Sequence, residues 1–93
     1  MANQAEIKIK ADNNDLKGNY ANAMQVVHTR EEFVIDFFLT SPPEGMLVSR
    51  VITSPRHLKR IAATLTENLG KYEEKFGKIE ELNIDEPKVG FQV

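Results

Sequence analysis

The stretch ITSPRHLKRIAATL, Ile52 to Leu65, is where the chain changes its period. Before Ser54 apolar residues alternate with others. From Pro55 they recur at Leu58, Ile61, Ala62, Leu65, Leu69, Tyr72 and Phe76, which is one stripe of an amphipathic helix. Ser54 is a favoured N-cap, and Pro55 suits the first helical position because its missing N–H would be unpaired there. The spacing predicts a helix from Pro55 to at least Lys75, with Gly77 and Leu82 as alternative ends. A glycine inside a helix costs up to about 1 kcal/mol relative to alanine. The charges run against the helix dipole. Arg56, Lys59 and Arg60 sit at its positive end, where cations typically lose about 0.3–1 kcal/mol.

Upstream, the period is two. EFVIDFFLT, residues 32–40, sets Phe33, Ile35, Phe37 and Leu39 on one face and Glu32, Val34, Asp36 and Phe38 on the other. NYANAMQVVHT, residues 19–29, and MLVSRVIT, residues 46–53, read as its neighbours. SPPEG between residues 41 and 45 is a turn. Strict alternation in the last strand places Leu47 and Val51 together, opposite Met46, Val48, Arg50 and Ile52. EIKIK, residues 6–10, predicts a first short strand, and ADNNDLKG, residues 11–18, a turn. Short connections favour an antiparallel meander. The expected fold class is α+β, a four-stranded antiparallel β-meander followed by one long C-terminal amphipathic helix. Residues 1–5 form a flexible start, 6–82 a single domain, and 83–93 a tail that is mobile or docked on a partner.

With 93 residues and no cysteine, the chain has a modest core and no disulfide, thiolate or cysteine-based metal chemistry. The start lacks a signal-peptide pattern, and no stretch approaches the ~20 apolar residues of a membrane span. The expectation is a cytoplasmic protein with no membrane partner. A net charge of −2 and a pI near 5.7 argue against a general nucleic-acid binder.

One helix covers one face of a sheet. Val34, Phe38, Leu47 and Val51 would then form an exposed apolar patch, and such patches mark interfaces. A homodimer, intertwined or face-packed, follows, with Tyr72 and Phe76 as further interface residues. The helix charges offer a second clue. Residues 55–69 hold three cations against one anion, and residues 70–86 three against six. Two antiparallel copies would set each basic half beside an acidic half. The alternatives are a solvated charged face, or an anion or acidic-partner site built from Arg50, Ser54, Arg56, His57, Lys59 and Arg60.

No catalytic motif, phosphate loop or dinucleotide fingerprint occurs. His28 and His57 lack metal-ligand spacing. Asp36 within FVIDFF is a conceivable general acid, but pairing with Arg50 on the next strand is the simpler role. No cofactor, metal or catalytic residue is expected. The function expected is a non-enzymatic, homo-oligomeric interaction module that binds a protein or peptide partner. The alternative is nucleic-acid or phosphate-ligand binding at the basic helix start.

Four groups of residues, Tyr20-Ala21-Asn22, Glu32-Phe33-x-x-Asp36-Phe37, Arg50-Val51-Ile52-x-Ser54-Pro55 and Tyr72-Glu73-x-x-Phe76-Gly77, resemble the domain-of-unknown-function family numbered 3467, a family of short bacterial and archaeal proteins. The resemblance spans about Gly18 to Ile79 and implies no known activity, cofactor or catalytic residue. The element order is also similar to that of the secretion chaperone SecB, which runs through four antiparallel strands before its helices. That likeness implies dimers of dimers with exposed apolar grooves.

Overall fold

The computed structural model describes residues 5–81. The tail at 83–93, Leu82 and the first four residues lie outside that range. A short helix α1 (Asn13–Lys17) precedes strands β1 (Ala23–His28), β2 (Phe33–Ser41) and β3 (Glu44–Thr53), and the long helix α2 (Pro55–Phe76) follows. The sheet is antiparallel in the order β1-β2-β3. Among the described residues it has three strands. Residues 6–10, expected as a fourth, have no ladder partner, and Ile7 and Ile9 are 79% and 84% exposed. That is one strand fewer than the element order that carries the likeness to SecB. The expected turn at 11–18 contains α1. Asp12 and Asp15 each accept the other's backbone N–H in a capping box, at 2.9 and 3.2 Å. Gly18 ends it at φ 71°, a conformation that favours glycine.

The β1 ladder extends one step past Ala23 by means of a side chain. Asn22 accepts the Thr40 N–H through Oδ1 at 2.8 Å and donates from Nδ2 to the Thr40 carbonyl at 2.9 Å. Its amide thus stands in for a peptide group at the sheet edge. The β1–β2 connection is held by Thr29, whose Oγ1 accepts the N–H groups of Glu31 and Glu32. The β2–β3 hairpin turns on Pro42-Pro43, joined by a cis peptide bond.

One expected face assignment fails. Phe37 pairs with Ser49, but Phe38 pairs with Leu47, so Val48 is an extra residue in β3. This β-bulge inverts the alternation. Leu47 therefore shares a face with Phe38, Asp36, Arg50 and Ile52. Met46 and Val51 lie on the other face, with Ile35 and Leu39. Val34 and Val51, grouped by the sequence reading, are on opposite sides.

Helix α2 begins as expected. Ser54 is extended at φ −75°, ψ 156°, and its Oγ accepts the His57 N–H at 3.1 Å. The helix ends at Gly77, φ 96°, whose N–H reaches the Glu73 carbonyl at 2.8 Å. Glu73 Oε2 also accepts the Ile79 N–H at 2.9 Å. Leu58 and Ile61 are half-buried, and the remainder of the stripe is bare. The dense packing lies between neighbouring strands, and α2 meets them sparsely. Among the described residues, Ile35 and Phe38 are the buried apolar side chains, each 6% exposed. Replacing Ser54 by alanine removes the cap and is expected to cost about 1 kcal/mol of stability. Denaturant unfolding of Ser54→Ala beside Ser54→Asp, which keeps an acceptor, measures it.

Candidate functional site

Four features bear on function: a polar pair within the sheet, a basic helix start, an apolar stripe with an acidic groove at its far end, and a groove at Tyr20 and Phe37.

The polar pair is Asp36 with Arg50. Cross-strand register places them opposite each other on β2 and β3. Arg50 donates from Nε and Nη2 to the two Asp36 oxygens at 2.6 and 3.0 Å, a bidentate geometry that suits a guanidinium and a carboxylate. Asp36 is 2% exposed. The hydrogen bond from Arg50 holds its carboxyl below the usual carboxylate range, and burial opposes this only in part. Gln25 lies opposite Asp36 on β1, and its Oε1 is buried with no hydrogen-bond partner among the described atoms. Arg50, proposed from sequence for an anion, is thus engaged by Asp36.

The basic start is brought together. Ser54, Arg56, His57 and Arg60 line a shallow, open pocket of about 150 Å³. Lys59 is not part of its lining. At the other end of α2, Leu69, Glu73, Lys78, Ile79, Glu80 and Glu81 line an open groove of about 850 Å³. Its anions outnumber its single cation. Sequence reasoning gave the charge polarity, but the return of residues 78–81 along the helix depends on the Glu73–Ile79 hydrogen bond, which no spacing rule signals.

Between these ends the stripe lies open. Leu65 and Phe76 are 64% and 66% exposed, and Leu69 and Tyr72 are 50% exposed. Tyr72 and Phe76 pack ring to ring at 5.0 Å. Of the other expected interface residues, Leu47 and Val51 are exposed and Val34 is half-buried, while Phe38 is already buried. A further groove of about 500 Å³ is lined by Asn19, Tyr20, Ala21, Phe37, Val48 and Ser49. His28 stacks on Phe33, its register partner, at 5.1 Å between ring centroids. Among the described residues no cluster of three or more His, Asp or Glu side chains could hold a metal. No helix there is long and apolar enough to cross a membrane.

The fold and its surfaces define a small α+β domain: an antiparallel sheet with a long, amphipathic C-terminal helix. The chain belongs to the family described as protein of unknown function (DUF3467), whose model matches residues 1–81. No curated protein and no solved structure matches it.

The Asp36 shift has a definite sign. A carboxyl with a folded pKa below its unfolded value of about 3.9 stabilises the fold above that pH, and the contribution is lost as pH falls through the lowered value. Asp36→Asn should therefore be less stable at neutral pH and lose less stability below about pH 4. Denaturant midpoints between about pH 2 and 7 test this, and an unchanged acid limb would refute it.

Proposed function

We propose that the protein is a non-enzymatic, self-associating interaction module, in its simplest form a homodimer. The observation that carries this is the bare stripe of α2. Leu65, Leu69, Tyr72 and Phe76 form an apolar row that stays half to two-thirds exposed among the described residues. Leu47 and Ile52 on one sheet face, and Met46 and Val51 on the other, add exposed apolar surface. Contiguous apolar surface of this kind marks an association site. The fourth strand read from EIKIK fits the same account: residues 6–10 have no ladder partner, and among the described residues the sheet order leaves β1 and β3 as edges. The groove at Tyr20 and Phe37 is the place for a protein or peptide partner once the dimer has formed. Its linings include residues that carry the family resemblance.

A second reading has one specific observation in its favour: the pocket that gathers Ser54, Arg56, His57 and Arg60. It would bind a phosphate-bearing ligand or a nucleic-acid backbone. Binding of a single-stranded oligonucleotide would then weaken steeply with salt. It would also vanish in the Arg56→Glu/Arg60→Glu variant.

A dimer's unfolding temperature rises with protein concentration, because mass action favours the associated native state. The wild type should show that rise in calorimetry at two concentrations. Leu69→Asp, which puts a charge in the stripe, should abolish it and lower the midpoint. A concentration-independent wild-type midpoint would exclude self-association coupled to folding.

A further inference from the structure

We infer that two copies pair through α2 as antiparallel helices, with the two-fold axis passing between Leu65 and Leu69. This rests on the self-association proposed above and specifies its geometry. Apart from Ile61 at its edge, the stripe residues Leu58, Ala62, Leu65, Leu69, Tyr72 and Phe76 are spaced 4, 3, 4, 3 and 4, the same in either direction. An antiparallel partner centred on residue 67 therefore meets the stripe in register. Leu65 faces the partner's Leu69, Ala62 faces the partner's Tyr72, and Leu58 faces the partner's Phe76. The sizes fit: the smallest side chain of the row lies opposite a large ring. The half-buried root of one helix receives the bare tip of the other.

On the flank that carries Lys59 and Glu73, charge favours the antiparallel arrangement over the parallel one. At 100° per residue, Arg56 and Glu74 point directly away from Leu65, while Lys59 and Glu73 flank the stripe on the same side. A two-fold axis perpendicular to two antiparallel helices brings like flanks together. Lys59 then lies beside the partner's Glu73 and beside the acidic groove that Glu73, Glu80 and Glu81 line. The helix dipoles are also opposed favourably. A parallel pair would align the two helix dipoles and leave Lys59 without the partner's Glu73 beside it. The alternating spacing of 4 and 3 is a heptad pattern, with Leu58, Leu65 and Tyr72 and then Ala62, Leu69 and Phe76 each seven apart, so the two helices pack with the shallow left-handed crossing of a short coiled coil.

The chain has no cysteine, so single cysteines report proximity without background. A disulfide needs Cα atoms within about 7 Å. In the antiparallel pair the two copies of residue 62 are about 15 Å apart along the helix, at 1.5 Å per residue. Ala62→Cys alone and Tyr72→Cys alone should not cross-link on mild oxidation, whereas their equimolar mixture should form a disulfide-linked heterodimer. Leu58→Cys and Phe76→Cys form a second pair, about 27 Å from their own copies by the same measure, and must behave alike if Tyr72→Cys disturbs the helix. Self-cross-linking of Ala62→Cys or Phe76→Cys would overturn the geometry in favour of parallel helices. Variants that sediment as dimers yet cross-link in neither mixture would overturn it in favour of another interface. A wild type that sediments as a monomer would remove the underlying self-association instead.

Discussion

The structure depends on one mismatch: the described residues carry more apolar surface than they cover among themselves. The sheet is only three strands wide among the described residues, and α2 leaves it after Leu58 and Ile61. Ile35 and Phe38 alone are buried apolar side chains there. A small domain with so little core is marginal by itself, and the chain has no disulfide to compensate. Association is the physical remedy that its surface offers.

Magnitudes show which surfaces must take part. Fully burying a large apolar side chain is worth about 1.5–3 kcal/mol. Leu65, Leu69, Tyr72 and Phe76 are roughly half to two-thirds exposed, so covering them yields roughly 6–12 kcal/mol for a pair of helices. Association itself costs an estimated 4–15 kcal/mol. The helix pair alone would therefore be near balance, and a stable dimer would also have to cover exposed sheet residues on one face, Leu47 with Ile52 or Met46 with Val51. Charge contributes orientation more than strength, because exposed ion pairs give only about 0–1 kcal/mol. The Asp36–Arg50 pair acts differently: it fixes the β2–β3 register by matching a fork of donors to two acceptors.

Much of this was legible in the sequence. The change of period at Ser54-Pro55 located the helix start, and Gly77 was foreseen as one of two ends. The central strands followed from alternation, while the Asp36–Arg50 pairing followed from opposite charges on neighbouring strands, since strict alternation set the two on opposite faces. What alternation alone could not show was the extra residue at Val48. No glycine or proline marks it, and one unpaired residue moves Val51 away from Val34, Phe38 and Leu47 and brings Arg50 and Ile52 onto their face instead. EIKIK alternates like a strand, but alternation says nothing about whether a partner edge exists within the same chain. The basic patch was legible as composition. Its division into Arg50, tied to Asp36, and a pocket of Ser54, Arg56, His57 and Arg60 required the register and the helix cap.

The central claim is that the apolar surface of the chain is covered by a second copy. Sedimentation equilibrium of the unmodified protein, from nanomolar to about 100 micromolar, tests it most directly, since mass action sets the population of the associated state. The account predicts a species of twice the 10.5 kDa chain mass that dissociates on dilution. A single 10.5 kDa species across the whole range would contradict it.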